Sequence, residues 1–221
     1  MAGERAPWDR ANPSPRYKAL LGLYRQLHAE GESRLGLPAA ETFAGQSLAP
    51  HLPAIRDLVR AAGARTLLDY GSGKGLLHRA RPLPLPDGGE APSLAAWWGL
   101  ERTVCYDPAY PPHAARPTET FDLVVCTDVL EHCPEEDLDW ILGELFGFAR
   151  HAVYLSIACY PAKKSLPNGE NAHATVRPPD WWRARLEPAA ARRPGVAWQA
   201  AFDRPREGRL ERVVLHSAAR P

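Results

Sequence analysis

An apolar run that ends in three closely spaced glycines constrains this chain more than any other feature. The run covers residues 66–70, and the glycines are Gly71, Gly73 and Gly75. A short apolar run indicates a buried strand, and glycine permits the positive backbone angles of a tight turn. Apolar residues follow the last glycine and indicate a helix. The sequence therefore predicts a strand, a glycine loop and a helix, which is the opening unit of an α/β fold.

Further apolar runs predict the rest of the sheet. The runs at 103–106, 121–127 and 152–158 have the length of buried parallel strands. Residues 134–150 are predicted to form a helix with an acidic first half. Alternating residues near the end, at 196–217, predict an antiparallel hairpin. The expected fold class is therefore α/β, with a doubly wound, mostly parallel, Rossmann-like sheet and an antiparallel C-terminal edge.

The 221 residues suffice for one well-buried domain. Residues 1–16 are polar and rich in proline, and they are predicted to be a flexible lead-in to a single domain at 17–221. Leucines at helical spacing predict two helices before the first strand. Prolines and glycines at 81–91 predict an irregular insert. The interval 107–121 is too short for a further strand and crossover helix, so one unit of the usual doubly wound sheet is predicted to be lost.

The charge balance excludes some classes of partner. Lys and Arg number 27 against 26 Asp and Glu, which gives a formal charge of +1. The strong positive field of a typical nucleic-acid binder is therefore missing, and the net charge does not support nucleic acid as a partner. No apolar run approaches the roughly 20 residues that cross a bilayer, so no membrane partner is expected. The four cysteines form no Cys-x-x-Cys pair and the N-terminus resembles no secretory signal, which together predict a cytoplasmic protein.

Two common phosphate-binding motifs do not fit the glycine loop. A Walker A loop needs a glycine where Leu68 stands and a hydroxyl residue where Gly75 stands. A dinucleotide fingerprint needs its third glycine at the position of Leu76. Neither pattern is present.

The loop, read as Asp-x-Gly-x-Gly-x-Gly from Asp69, resembles that of the class I S-adenosylmethionine-dependent methyltransferases, and the resemblance extends over most of the chain. In that family the loop holds the methionine end of the cofactor. The resemblance therefore implies cofactor binding by Asp69, Gly71, Gly73 and Gly75. The family also places an acid after the second strand to bind the ribose hydroxyls, and Asp107 occupies that place. Each acid taken singly could instead cap a turn.

A second block, at 121–132, resembles the strand and loop that face the transferred methyl group in this family. It ends in Asp128, Glu131 and His132, whose i, i+3 and i+4 spacing would group them on one side of a helical turn. Asp128 is also assigned to the cofactor. Such a group can bind a metal, act as a general base, or serve only as a helix cap with a histidine at the rim.

His173 follows the next predicted strand, so it is expected at the same edge of the sheet as Asp128, Glu131 and His132. The four residues are predicted to hold Mg²⁺ or Mn²⁺. The arrangement resembles that of methyltransferases that modify the 2′-hydroxyl at the 3′ end of small RNAs, with Asp128 in place of a glutamate. His132 or His173 would otherwise be the catalytic base. The alternative is a purely structural Glu–His pair.

The predicted function is transfer of a methyl group from S-adenosylmethionine to a heteroatom, expected to be a hydroxyl of a small molecule or sugar. Residues 160–177 are predicted to form a lid whose polar groups Asn168, Glu170 and Asn171 contact this acceptor. Three alternatives stay open: a metal-dependent RNA 2′-O-methyltransferase, a nicotinamide-dependent oxidoreductase, and a non-catalytic binding module of the same fold.

Overall fold

A six-stranded sheet forms the centre of the fold in the computed structural model, which describes residues 7–85 and 88–217. The strands of this sheet are β1 (Thr66–Tyr70), β4 (Arg102–Tyr106), β5 (Phe121–Thr127), β6 (Ala149–Ala158), β7 (Ala197–Arg206) and β8 (Arg209–His216). A separate antiparallel pair consists of β2 (Leu83–Pro84) and β3 (Glu90–Ala91).

The strand order in the sheet is β4-β1-β5-β6-β7-β8. Neighbours from β4 to β7 run parallel, and only β8 runs antiparallel, beside β7 at the edge. The carboxyl ends of five strands therefore meet at one edge of the sheet. This arrangement confirms the predicted single-domain, Rossmann-like α/β fold with an antiparallel C-terminal edge.

Helices lie on both faces of the sheet. They are α1 (Pro15–Glu30), α2 (Leu52–Ala62), α3 (Leu76–Arg79), α4 (Leu94–Trp98), α5 (Leu138–Phe148) and α6 (Pro179–Ala191). Because side chains of a strand alternate between faces, Leu123 and Val125 of β5 pack in the cluster of α2 and α4. Val124 and Cys126 pack in the cluster of α5 and α6. Within the described ranges, no helix is both long and apolar enough to span a membrane.

Several predicted boundaries differ from the structure. The helix predicted at 134–150 is a 3₁₀ turn followed by α5, and its last two predicted residues belong to β6. The insert at 81–91 contains the β2–β3 pair, although Pro86 and Asp87 lie outside the described residues. Between Asp107 and Phe121, all of which is described, no strand forms, so the loss of one unit is confirmed.

The first helix begins inside the predicted lead-in. Helix α1 starts at Pro15, because a proline fits the first turn, where its missing N–H is not needed. Ser14 caps this helix by accepting a hydrogen bond from the Tyr17 N–H at 2.9 Å. The Ser14 N–H donates to Asp137 Oδ1 at 3.0 Å, and Ser14 is buried. Residues 1–6 of the lead-in lie outside the described residues.

Candidate functional site

The glycine loop after β1 needs glycine at two positions for steric reasons. Gly71 has a φ of +77°, and a Cβ atom added there would lie 2.4 Å from Val129 Cγ2. Gly73 has a φ of +55°, and its added Cβ would lie 2.2 Å from the Phe43 carbonyl oxygen. The loop is therefore pressed between the segment after β5 and a segment that precedes the sheet.

Every backbone N–H of this loop is donated to an acceptor within the protein. The bonds are Gly71 N–H and Ser72 N–H to Tyr106 O (2.7 and 3.1 Å), Gly73 N–H to Asp107 Oδ2 (2.9 Å), Lys74 N–H to Phe43 O (2.8 Å) and Gly75 N–H to Ser72 O (3.0 Å). Loops that bind phosphate do so with free N–H groups. This loop has no free N–H group, so it suits a ligand that contains no phosphate.

The Lys74 side chain of the loop is bonded to residues that precede the sheet. Its buried ammonium donates to the Thr42 carbonyl oxygen at 2.8 Å and lies 3.2 Å from His28 Nδ1. Burial lowers the pKa of His28 to about 4, so this imidazole is neutral at neutral pH and can accept from the ammonium. Lys74 therefore links the glycine loop to the N-terminal segment, which comprises α1 and the residues between α1 and α2.

Asp107 lies at the carboxyl end of β4, where the sequence predicts the ribose-binding acid. Its carboxylate is nearly buried and accepts the N–H groups of Gly73 and Ala109 (2.9 and 2.8 Å). Burial raises the pKa of Asp107, and these two N–H donors act in the opposite direction. Asp107 also lines the main cavity, so it both holds the glycine loop and faces the cavity.

The cavity, with a volume of about 220 Å³, opens at the carboxyl edge of the sheet. Gly71, Gly73 and Asp107 form its floor on the loop side. Helix α1 contributes an opposite wall that includes Tyr24 and His28. Aromatic and aliphatic groups thus enclose a few polar atoms, which is the usual composition of a small-molecule site.

Asp128, His132 and His173 meet beside this cavity. One carboxylate oxygen of Asp128 and one ring nitrogen of each histidine lie within 4.8 Å of one another. Asp128 directly follows β5 and has a φ of +60°, an unusual conformation that Asp tolerates better than most residues. It lies outside the single 3₁₀ turn Leu130–His132, so the predicted common helical turn is wrong, although Asp128 and His132 still converge.

Both histidines have a fixed proton. His132 Nδ1 lies 2.8 Å from the Ala172 carbonyl oxygen, and His173 Nδ1 lies 2.6 Å from that of Tyr160. A carbonyl oxygen only accepts, so each ring carries its proton on Nδ1 and keeps a lone pair on Nε2. Burial lowers the pKa of His132 to about 4 and also lowers that of His173. Both imidazoles are therefore neutral and able to bind a cation or accept a proton.

Glu131 is fully buried between the cluster and β6. Its Oε1 atom accepts the Ala158 N–H, while Oε2 has no hydrogen-bond partner in the described structure. Burial, followed by the negative charge of Asp128, raises the pKa of Glu131 well above its usual value. Glu131 is not one of the three converging ligands, and the rise in its pKa favours the neutral carboxyl, which does not call for a nearby cation.

Other predicted residues lie away from the cavity. The Asp69 side chain lies beneath the loop, where its Oδ2 is 2.8 Å from His78 Nε2. Gly75 immediately precedes α3 and does not line the cavity. Asn168 and Glu170 are exposed and bond to each other. Asn171 bonds to both backbone groups of Ala162, and none of the three predicted lid residues lines the cavity. Lys164 is the residue of the predicted lid that does line it.

The N-terminal segment carries site residues that sequence reasoning missed. The Tyr24 hydroxyl donates to the Ala172 carbonyl oxygen and lies 3.0 Å from His132 Nδ1. Phe43 packs edge-on against Tyr24 and His132. The i, i+4 spacing of Tyr24 and His28 on α1 was the available signal, because it places two polar aromatic groups on one helical face.

Known proteins give no match to this chain. No family model matches it, and neither the curated proteins nor the solved structures contain a match. An assignment of function therefore depends on the geometry of the cavity and of the Asp128–His132–His173 cluster.

Proposed function

We propose that this protein binds S-adenosylmethionine in the cavity and transfers its methyl group to a hydroxyl of a small molecule or sugar. The proposal rests on one observation: the Asp107 carboxylate and a glycine loop without a free N–H contact each other and line the same cavity. This cavity lies at the carboxyl edge of a parallel sheet, where such folds bind ligands.

The chemistry of the cofactor matches the cavity. S-adenosylmethionine contains a ribose diol and a sulfonium, and it contains no phosphate. The Asp107 carboxylate has lone pairs left to accept from the ribose hydroxyls. The rings of Tyr17, Tyr24 and Phe43 line the cavity and offer apolar faces that also attract cations. A nicotinamide dinucleotide would instead bring a pyrophosphate to a loop that has no N–H to donate, which disfavours the oxidoreductase alternative.

The transfer step needs alignment and removal of one proton. The acceptor oxygen attacks the methyl carbon, the carbon–sulfur bond breaks, and the sulfur keeps the bonding electron pair. The acceptor hydroxyl loses its proton in the same process. His132 and His173 each present an unprotonated Nε2 near the cavity, so either can accept this proton.

The donor set of the cluster also fits a divalent cation. Asp128 supplies a carboxylate, the two imidazoles supply nitrogen, and their Nδ1 protons are held by backbone carbonyls, as is usual for metal-bound histidines. Mg²⁺ or Mn²⁺ bound here would lower the pKa of the acceptor hydroxyl.

Cofactor binding is the first test of the proposal. Isothermal titration calorimetry should show binding of S-adenosylmethionine and of its demethylated product, and no binding of NADH. Tight NADH binding without S-adenosylmethionine binding would refute the assignment.

The reaction is tested with labelled cofactor over pools of metabolites, sugars and RNA. Labelled product is expected from a hydroxyl compound. Activity confined to RNA would contradict the proposed acceptor.

The metal is tested by chelation. Treatment with EDTA should abolish methyl transfer, addition of Mn²⁺ or Mg²⁺ should restore it, and His173→Ala should not regain activity when the metal is added. His216→Ala is the control, because His216 is exposed and remote in the sheet, on β8. Full activity in excess EDTA would leave His132 or His173 as the base and exclude the metal.

A further inference from the structure

A second cluster of possible metal ligands lies beneath the glycine loop. We propose that Asp69, His78 and Cys105 form a binding site for a zinc-class divalent cation, separate from the Asp128–His132–His173 cluster. The proposal does not depend on methyl transfer, because neither the cavity nor the acceptor takes part in it.

The fold places the three side chains on one face of the sheet. Asp69 of β1 and Cys105 of β4 are direct partners in the parallel register, so their side chains lie side by side. His78 belongs to α3, which begins immediately after the loop. One carboxylate oxygen, one ring nitrogen and the Cys105 sulfur all lie within 4.8 Å of one another.

The three donor atoms lie close enough together to share one ion. The side chains of Asp69 and His78 are each only 6% exposed. His78 Nε2 lies 2.8 Å from Asp69 Oδ2, so these two atoms hold one proton between them when no metal is bound. A cation coordinated by Asp69, His78 Nε2 and the Cys105 sulfur would replace that proton, which the neutral imidazole then carries on Nδ1.

The donor set selects the class of cation. A thiolate sulfur and an imidazole nitrogen favour zinc and similar metals, whereas Mg²⁺ and Ca²⁺ prefer oxygen ligands. Three protein ligands leave one position open in a tetrahedral site. The charges of a thiolate and a carboxylate balance a divalent cation. Burial raises the pKa of the Cys105 thiol to about 12, so binding would form the sulfur–metal bond and release the thiol proton to solvent.

The site is in contact with the loop that lines the cavity. A Cβ atom on Gly75 would lie 2.9 Å from the Cys105 sulfur, so the loop backbone rests almost directly on this side chain. Cys105 is partly exposed, so the cluster is reachable from solvent. A cation at this position would join β1, β4 and α3 below the loop.

Cobalt is the most direct probe, because a thiolate bound to Co²⁺ gives a charge-transfer absorption in the near ultraviolet that oxygen and nitrogen ligands do not give. Titration of the purified protein with Co²⁺ should produce this absorption, and its amplitude at saturation should correspond to one thiolate-bound Co²⁺ per chain. Cys105→Ser should abolish it. Asp128→Asn should keep it, which separates this site from the other cluster. The matched control is Cys159→Ser, because Cys159 is another unpaired cysteine that lies outside the cluster. His78→Gln should weaken Co²⁺ binding by about tenfold or more.

A measurement on the unmodified protein covers the case in which the Cys105 variant does not fold. Alkylation of Cys105 by iodoacetamide, followed by mass spectrometry, should slow about tenfold or more when Zn²⁺ is present in excess over both proposed cation sites. Alkylation of Cys159 should not change. Absence of the charge-transfer band in the wild-type protein, its persistence in Cys105→Ser, or equal alkylation of Cys105 with and without Zn²⁺ would each overturn the proposal.

Discussion

The contact between Gly71 and Val129 permits a quantitative test of the loop geometry. In Gly71→Ala the new methyl group would lie 2.4 and 2.7 Å from the two Val129 γ-carbons. The φ of +77° adds a backbone penalty of roughly 1–2 kcal/mol for a residue that has a side chain. Overpacking against Val129 adds about 1–3 kcal/mol. The free energy of unfolding should therefore fall by about 2–5 kcal/mol.

Two further variants divide this loss into its parts. Gly63 has a similar φ of +58°, and an added Cβ would meet nothing within 4 Å, so Gly63→Ala should show only the backbone penalty. Val129→Ala removes both clashing carbons and leaves its Cβ 3.1 Å from the new methyl group. The double variant Gly71→Ala/Val129→Ala should therefore recover about 1–3 kcal/mol relative to the sum of the single variants.

The assay is urea unfolding followed by tryptophan fluorescence, with calorimetric titration of S-adenosylmethionine on each variant that stays folded. Gly71→Ala should weaken cofactor binding, because Gly71 and Val129 both line the cavity, and Gly63→Ala should not. Equal destabilisation by Gly71→Ala and Gly63→Ala, together with additivity in the double variant, would refute the packing of the loop on Val129.

Asp107→Asn removes the negative charge and sets the side-chain NH₂ group against the N–H of either Gly73 or Ala109, where two donors face each other. Calorimetry should therefore show S-adenosylmethionine binding weakened by about 1–3 kcal/mol. Asp57→Asn on the exposed side of α2 is its control, and unchanged affinity in Asp107→Asn would contradict the ribose role. His51 bonds to the Tyr154 hydroxyl at 2.8 Å, and burial lowers its pKa to about 4. Because an unfolded histidine titrates near 6.5, this group stabilises the protein above that pH, and the stability is lost as the pH falls towards 4. The free energy of unfolding of His51→Gln, measured in urea, should therefore fall less between pH 7 and pH 5 than that of the wild-type protein. An equal fall in both proteins would contradict the lowered pKa of His51. Tyr24→Phe removes the hydroxyl near His132 Nδ1 and should weaken Mn²⁺ binding by about tenfold without loss of folding, whereas Tyr17→Phe should leave it unchanged.

The parts of this fold that follow from local patterns are visible in the sequence. Apolar runs of strand length predict β1, β5 and β6, and the rule that carboxyl ends of parallel strands share an edge brings Asp128 and His173 together. The i, i+3 spacing rule failed for Glu131 because it assumes an α-helix. The chain instead makes one short 3₁₀ turn, which leaves Asp128 outside and turns Glu131 inward.

Other parts of the site depend on tertiary contacts that no local pattern reports. The position of Tyr24 opposite His132 requires α1 to fold back over the carboxyl edge of the sheet, which spacing within α1 does not encode. Asp69 is a case in which the sequence held more information. Leu68 and Tyr70 both pack on the face of α5 and α6, so alternation along β1 already turns Asp69 to the opposite face, below the loop.

The internal bonding of the glycine loop has a consequence for its behaviour before any ligand arrives. An amide hydrogen that is bonded within the protein exchanges with solvent only when the structure opens. The amides from Gly71 to Gly75 should therefore be protected from deuterium in the free protein almost as well as in a complex. A cofactor that binds this preformed surface gives up little conformational freedom of the loop. The change in exchange that reports binding should then appear in the N-terminal wall, around Tyr24 and Phe43.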